Sequence, residues 1–224
     1  MKLSSETMTV LKNFAGINQS ILLKEGNTLK TISPLKTIMA IATVPDEFPR
    51  TAGIYNLPRF LSVCSLYSDP DLDFGSSFIT IVEGKSKAKY VYADPSMIIS
   101  PPEKEIKLPS VDVSVSLSAD DLSKVLKASS VFQLPEIAFV GAEGKCYLQA
   151  IDSANPSADS YGFELGNTDD TFSLIIKTEN LPLLSGDYEV ELSSKGISKF
   201  CSSKVTYFIA IESKSTYKKG QRHD

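Results

Sequence analysis

Apolar and polar residues alternate over much of this chain, and the alternation predicts a protein built mainly from β-strands. The clearest example is residues 111–118, where three valines and a leucine take turns with aspartate and serine. A period of two places the apolar side chains of a strand on one face, so each such segment predicts a half-buried strand. The same alternation, or a β-branched and aromatic run, predicts further strands at 78–82, 89–93, 172–176, 188–192 and 205–211.

Four short segments have helical spacing instead. The first, residues 5–15, has one apolar face and is followed by Gly16, which predicts its end. Asn56 and Ser118 are residue types that cap helices, and each precedes an apolar stripe at spacings of three and four. The fourth segment, residues 178–184, is cut short by the Ser-Gly pair that follows it.

Short sequence matches recur in the same order in the two halves of the chain, which predicts an internal duplication. Each match alone is weak, but their shared order favours two copies of one structural plan. The recurring pieces are Val-Leu-Lys at 10–12 and 125–127, Glu-Gly at 25–26 and 143–144, Asn-Leu-Pro at 56–58 and 180–182, and the turn glycines Gly84 and Gly196. Gly26, Gly84, Gly144 and Gly196 lie between predicted strands, as hairpin turns require.

Short amphipathic helices on one face of antiparallel sheets predict an α+β fold with two similar domains. Long helical crossovers between parallel strands are missing from the pattern, which argues against a doubly wound nucleotide-binding fold. We expect an N-terminal domain at 1–94 and a C-terminal domain at 111–213. The stretch 95–110 between them contains four prolines and predicts a semi-stiff connector. Residues 214–224 are basic and predict a mobile tail.

Composition places the chain among globular proteins that do not enter a membrane. It is 42% hydrophobic and 22% charged, and no apolar run approaches the ~20 residues of a membrane helix. The first residues lack the apolar stretch of a secretion signal, so we expect none. The three cysteines are widely separated, as suits a reducing compartment. A formal charge of −4 argues against a general nucleic-acid coat, but not against one locally basic surface.

Two motifs that resemble ligand sites have simpler explanations. The Gly-Lys-Ser at 84–86 matches the end of a phosphate-binding loop, but position 79 is isoleucine and no helix follows, so a hairpin turn explains it better. Aspartates at 69, 71 and 73 mimic the start of a calcium loop. The sixth position of that loop is Phe74 and the twelfth is Thr80, which do not fit calcium, so we expect a solvated acidic loop.

No residue pattern in the sequence indicates a catalytic site. His223 is the only histidine and lies next to the C-terminus, where it is a poor member of a catalytic triad in a packed cleft. The cysteines and histidine do not cluster at the spacing of a metal site. We therefore expect no enzyme activity, no metal and no cofactor.

Basic residues on the predicted helices are the main candidates for function. Lys12, Arg59, Lys124 and Lys127 all lie off the apolar faces of their helices. One interpretation is an ordinary solvated surface. The other is that all helices share one surface, on which these four residues form a basic strip that faces the phosphates of a nucleic acid. Such a strip would bind by charge and would not recognise the base sequence.

Several stretches resemble the DNA sliding clamps, the rings that tether a DNA polymerase to its template. The duplicated helix-and-strand module, the proline-rich connector, the acidic body and the basic helices are all similar to that family. More specifically, residues 1–4, 11–15, 17–18 and 93–96 resemble the clamps of T-even-type tailed phages.

The resemblance implies a homotrimeric ring of six domains, with the helices lining the hole and the sheets outside. Lys12, Arg59, Lys124 and Lys127 would then face duplex DNA without sequence preference. The ring would confer processivity on the replicative polymerase, and an ATP-dependent loader would open it. The resemblance also implies further docking partners, such as late-transcription factors, and a location in the cytoplasm of the infected bacterial host.

Clamp partners usually dock short peptides in an apolar pocket beside the connector. The resemblance implies that a C-terminal peptide of the polymerase would bind there. By position, the candidates for this pocket are Ile32, Leu35, Ile106, Leu108 and Ile211. Packing in the core or at a sheet edge explains each of these residues equally well.

A second class of function shares the same repeats and the same lack of catalytic residues. A duplicated, β-rich phage structural or adaptor protein would have both features and no role on DNA. Such a protein would not need basic residues on its helix faces.

Overall fold

The computed structural model describes residues 1–155 and 157–220, so His223 lies outside the described residues. Its helices are α1 (Ser5–Ile17), α2 (Leu57–Cys64) and α3 (Ala119–Phe132). The strands of the first half are β1 (Ile21–Leu23), β2 (Gly26–Ile32), β3 (Ile38–Phe48), β4 (Ala52–Ile54), β5 (Asp71–Phe74), β6 (Phe78–Glu83) and β7 (Ser86–Val91). The others are β8 (Val113–Leu117), β9 (Glu136–Ala142), β10 (Lys145–Ile151), β11 (Tyr161–Asn167), β12 (Thr171–Lys177), β13 (Tyr188–Ser193), β14 (Ile197–Cys201), β15 (Val205–Ala210) and β16 (Thr216–Lys218).

The chain divides into two compact units. The first consists of Met1–Glu105 and Ser203–Thr206, and the second of Ile106–Ser202 and Tyr207–Asp224. The division between Glu105 and Ile106 falls inside the predicted connector. The expected α+β class is confirmed, with antiparallel sheets and short helices in both units.

In the first unit, helices α1 and α2 pack against each other and α1 packs against β2 and β3. Strands β2 and β3 form an antiparallel pair, β1 pairs with β4, and β5, β6 and β7 form a sheet in that order. Leu11, Phe14 and Phe60 fill the core with exposed fractions of at most 1%. Burying side chains of this size supplies most of the free energy that holds a helix on a sheet.

The start of α1 is fixed by a carboxylate on β3. Asp46 accepts hydrogen bonds from the backbone nitrogen and the hydroxyl of Ser4, both at 2.7 Å. Ser4 in turn accepts from the backbone nitrogen of Thr7 at 3.2 Å, as an N-cap does. The helix runs through Gly16 to Ile17, two residues beyond the predicted end.

In the described residues the second unit contains one α-helix and strands from two sheets. Strands β11, β10, β9, β12 and β16 form one sheet, and β15, β14, β13 and β8 lie side by side. Helix α3 packs on β9, β10 and β11. The predicted cap is present, because the Ser118 hydroxyl accepts from the backbone nitrogen of Asp121 at 3.1 Å.

The predicted fourth helix is wrong. Of residues 178–184 only Thr178–Asn180 form a 3-10 turn. Pro182 disfavours helical geometry at Leu181, whose φ of −116° and ψ of 43° lie outside the helical region. Two tyrosines hold the extended chain instead: the Tyr188 hydroxyl donates to the Leu184 carbonyl at 2.6 Å, and the Leu184 nitrogen donates to the Tyr207 hydroxyl at 3.1 Å.

Three of the four predicted glycine hairpins are present. Gly84, Gly144 and Gly196 have positive φ and lie in the β6–β7, β9–β10 and β13–β14 turns. The hairpin predicted at Gly26 is wrong, because β1 pairs with β4 and β2 pairs with β3. Gly26, with φ of 101°, is the first residue of β2.

The segment predicted as a mobile tail contains a strand. Residues Thr216–Lys218 form β16 and pair with β12. Asp170 fastens this strand, since it accepts hydrogen bonds from the Tyr217 hydroxyl at 2.8 Å and the Gly220 nitrogen at 2.7 Å. Sequence reasoning missed the strand because its partner lies over forty residues away in the chain.

A buried carboxylate at the start of β9 predicts a pH-dependent stability. Burial alone would raise the pKa of Glu136, but hydrogen bonds from Lys214 and Ser153 hold it below its ordinary value of 4.5. The unfolded chain therefore binds more protons than the native chain as pH falls below about 5, and the stabilisation from Glu136 is lost in that range. It is fully present at neutral pH. We expect Glu136→Gln to lower the free energy of unfolding at pH 7 by about 1–3 kcal/mol.

Urea unfolding at pH values from about 3 to 7 measures this effect, and the deficit of Glu136→Gln should shrink toward the acid end. Glu143→Gln is the control, because Glu143 is an exposed turn residue of the same unit. A deficit of the same size at every pH would show that the charge of Glu136 is not the stabilising feature.

Candidate functional site

The basic side chains of the first unit lie on helix faces that point away from its core. On α1 the buried residues are Thr7, Val10, Leu11, Phe14 and Ile17. Lys12 is exposed on the opposite side of that helix. Arg59 is exposed in the first turn of α2, where its backbone nitrogen donates to the Asn56 side chain at 2.9 Å. Within the described ranges neither Lys12 nor Arg59 makes an ion pair, so both charges are available to a ligand.

The basic face of the second unit is partly neutralised. Helix α3 buries Leu122, Val125 and Ser129, so Lys124 and Lys127 project on its opposite side. Lys124 forms an ion pair with Asp120 one turn earlier, and this contact raises the pKa of Lys124. Exposed pairs of this kind contribute about 0–1 kcal/mol, so a phosphate can compete with Asp120 for the ammonium group.

The aspartates at the start of α3 have a structural reason to be there. Asp120 and Asp121 lie in the first turn, where a carboxylate interacts favourably with the helix dipole. Asp121 also accepts from the Ser118 hydroxyl at 2.7 Å. The exposed face of α3 is therefore less positive than its two lysines alone suggest. In the described part of the chain, Lys127 makes no ion pair, whereas Lys124 does.

One of the candidate docking residues is displayed on a rigid loop. Leu35 is 83% exposed at the tip of the turn between β2 and β3. The Ser33 hydroxyl accepts from the backbone nitrogens of Thr37 at 3.0 Å and Ile38 at 3.1 Å. The Lys36 nitrogen donates to the Ser33 carbonyl at 2.8 Å, and Lys36 adopts a φ of 58°. These bonds fix the loop, so Leu35 is held in solvent without support from neighbouring side chains.

The other four candidates are less accessible. Ile32, at the end of β2, is 8% exposed, and Ile211, just after β15, is 7% exposed. Both have the burial of core residues, so truncating either would also cost stability. Ile106 and Leu108 are half-buried in the second unit. Ile32 and Leu35 belong to the first unit, and Ile106, Leu108 and Ile211 to the second.

The structure also forms cavities that sequence reasoning missed, among them two in the first unit. One, of about 300 Å³, lies between α1 and the end of α2, and Lys12, Met8 and Cys64 are among its lining residues. Burial raises the pKa of the Cys64 thiol to about 11, so it is a packed thiol and not a nucleophile at neutral pH. The other, of about 220 Å³, lies beside β1 and β2. Residues far apart in the chain form both, and no local motif marks either.

The two motifs that resembled ligand sites have structural roles. Gly84 and Lys85 form the tip of the β6–β7 hairpin, as predicted. Asp71 and Asp73 lie on the exposed side of β5, and Asp69 forms an ion pair with Lys2. In the described ranges no group of histidine, cysteine, aspartate and glutamate is arranged to hold a metal, and no helix is long and apolar enough to cross a membrane.

The fold is that of the DNA sliding clamps. The chain superposes on the PCNA of A. fulgidus, solved with the C-terminal region of FEN-1, with a TM-score of 0.70 at 17% identity over 96% of this chain and 98% of that one. The PCNA of Thermococcus kodakaraensis gives 0.66 at 17% identity, covering 95% and 99%. A sliding clamp of Pseudomonas aeruginosa gives 0.65 at 11% identity, covering 93% of this chain and 63% of that one.

Sequence comparison then identifies the family. The family model for a DNA polymerase processivity factor matches residues 4–100, and the model for the C-terminal part of the gp45 sliding clamp matches residues 114–213. The sliding clamp of Escherichia phage RB69 is 34% identical over 97% of this chain and 99% of its own length. That of Vibrio phage KVP40 is 33% identical, covering 95% and 99%. The chain belongs to the sliding clamps of T4-type phages.

The family decides between the functions that the sequence left open. The chain is a sliding clamp and DNA polymerase processivity factor, which is a non-catalytic protein. The predicted resemblance and the prediction that it is not an enzyme are both confirmed, and the alternative of a structural or adaptor protein is excluded.

Proposed function

We propose that three copies of this chain close into a ring around duplex DNA and tether the replicative polymerase of the phage. The observation that carries this proposal is the match of one clamp family model to each half of the chain, at 4–100 and 114–213. Two clamp domains per chain, at 1–94 and 111–213, make three chains the natural number for a six-domain ring. The ring acts in the cytoplasm of the infected bacterium.

Edge strands in both units support ring closure. In the described part of the chain, β7 pairs only with β6 and β11 pairs only with β10. Unpaired edges invite pairing with another chain, and β7 also exposes Val91 to 63%. A head-to-tail contact between β7 of one subunit and β11 of the next satisfies both edges, and such a contact closes into a cyclic assembly when the rotation fits.

The charge distribution supports contact with DNA through the helices. The chain has a formal charge of −4, which repels a polyanion at long range. Lys12, Arg59, Lys124 and Lys127 provide local positive charge on three helices. Such contacts are weak and independent of sequence, and a ring that is topologically linked to DNA needs no more.

The ring also serves as a docking platform. The C-terminal peptide of the polymerase binds at Ile32, Leu35, Ile106, Leu108 and Ile211, with Leu35 as the displayed anchor. A clamp cannot thread itself onto circular DNA, so an ATP-dependent loader opens it. Late-transcription factors use the same surface, since partners that dock as short apolar peptides can share one groove.

The ring predicts a mass of about three chains. Light scattering at micromolar concentration should give about three times the chain mass of 24.4 kDa. Replacing Val91 with glutamate should shift the protein toward monomer without unfolding it, because Val91 is exposed on an edge strand. A monomer at every concentration would contradict the ring.

The helix lysines and arginine predict a charge-dependent interaction with DNA. Changing Lys12, Arg59, Lys124 and Lys127 together to glutamate should leave fold and mass intact but impair loading onto circular DNA. The log–log salt slope of DNA retention should fall by about one for each phosphate that the variant no longer neutralises. A charge-matched control changes four exposed lysines outside the helices and the docking surface: Lys85, Lys195, Lys218 and Lys219. Equal impairment of loading in both variants would mean that only net charge matters.

The docking surface predicts that truncating either of its leucines weakens a partner. Leu35→Ala and Leu108→Ala should each weaken the polymerase C-terminal peptide about tenfold or more, because burying such a side chain contributes roughly 1.5–3 kcal/mol. Fluorescence anisotropy measures the affinity. Leu66→Ala is the control, since Leu66 is 76% exposed at the end of α2 and outside the proposed surface. A fall in melting temperature in step with peptide affinity would identify the half-buried Leu108 as a core residue and not as part of the docking surface.

A further inference from the structure

A pair of lysines in the first unit surrounds a carboxylate that belongs to the chain itself. Lys24 and Lys30 line the cavity of about 220 Å³ beside β1 and β2, together with two carboxylates: Glu25, and Glu103 from the middle of the connector. Lys24 forms an ion pair with Glu103. The hydrogen bond from Lys24 and its charge, together with the charge of Lys30, lower the pKa of Glu103. One carboxylate thus lies within reach of two positive charges.

The first part of the connector runs alongside β2. The Asn18 side-chain nitrogen donates to the Ile32 carbonyl at 2.8 Å and to the Ile99 carbonyl at 3.4 Å, so Ile99 lies near the end of β2 that leads into the Leu35 loop. Glu103 reaches Lys24 at the other end of the strand. The segment 99–103 therefore borders a surface that continues from the displayed leucine to the two lysines.

The ion pair at the cavity is easily exchanged. The Glu103 side chain is 80% exposed and that of Lys24 is 45% exposed. Such pairs contribute little to stability because water and salt screen them. Lys30 makes no ion pair in the described ranges, so its charge is only partly compensated by Glu103. A second carboxylate can replace Glu103 at little cost to the fold.

We propose that this cavity is a carboxylate subsite of the docking surface, in which an acidic group of the bound peptide displaces Glu103 from Lys24 and Lys30. The proposal rests on the docking function proposed above. The acidic group is either a side chain or the terminal carboxylate of the peptide. In the free clamp, Glu103 occupies the place of that group and keeps the lysines paired.

The spacing between the two ends of the surface constrains the peptide. Lys30 lies five positions before Leu35 in the chain. Of residues 30–34, the first three belong to β2 and the other two to the loop. An extended chain rises about 3.3 Å per residue, so an acidic group about three to five residues from the apolar anchor spans this distance. A peptide with the acidic group next to the anchor cannot reach both sites.

The test compares charged and neutral forms of one probe, the labelled C-terminal peptide of the replicative polymerase of the same phage. Three forms are made: the natural peptide, one with a C-terminal amide, and one whose acidic side chains are changed to amides. We expect Lys30→Gln to weaken the natural peptide about two- to fivefold, the range for an exposed charge pair, and Glu103→Gln to strengthen it. The change in affinity caused by either substitution should vanish with the peptide form that lacks the carboxylate bound at the subsite. With the natural peptide, both changes should become smaller at high salt.

Lys85→Gln is the control, because it removes the same charge from the same unit at the tip of the β6–β7 hairpin. If Lys30→Gln weakens all three forms equally, or none, the carboxylate subsite is wrong, and the Lys24–Glu103 pair only fastens the connector. Failure of Leu35→Ala to weaken any form would instead contradict the docking surface itself. The two failures are therefore distinguishable.

Discussion

Each helix of this clamp has to bury one apolar face, and that requirement decides which way its charged side chains point. Helix α1 buries Leu11 and Phe14, and α3 buries Leu122 and Val125. Since successive helical residues are rotated by about 100°, Lys12 and Lys127 are then directed to the opposite side. The basic surface of each unit is thus a consequence of core packing, and it needs no contacts of its own to hold it in place.

The proposed docking surface likewise needs little support of its own. The loop that carries Leu35 is ordered by backbone hydrogen bonds to Ser33 and not by packing of the leucine. Because the backbone of this loop is already ordered, little backbone entropy is lost when a partner covers Leu35, so more of its burial appears as affinity. Near the other end of β2, Glu103 forms an ion pair with Lys24 that is weak enough for another carboxylate to replace Glu103.

The two halves of the chain follow one plan but do not repeat it fully. Asn56-Leu57-Pro58 begins a helix, because enough apolar residues follow to form a stripe that packs in the first unit. Asn180-Leu181-Pro182 is followed by only two leucines before Ser185-Gly186, so no stripe can form. The hydroxyls of Tyr188 and Tyr207 hold that segment by its backbone instead, and both tyrosines are buried in the second unit. Burial raises the pKa of Tyr207 to about 12, so its hydroxyl stays protonated at any physiological pH.

The local sequence pattern determined those features of the fold that depend only on neighbouring residues. Alternation and β-branched runs predicted six of the sixteen strands in the described residues, Asn56 and Ser118 predicted two helix starts, and the helical spacing predicted the outward direction of Lys12, Arg59, Lys124 and Lys127. Tertiary structure decided everything that depends on residues distant in the chain. It placed Thr216–Lys218 against β12, buried Ile32 and Ile211, and brought Glu103 to Lys24. A periodicity shows which face of an element is buried, but only the folded chain determines what lies against that face.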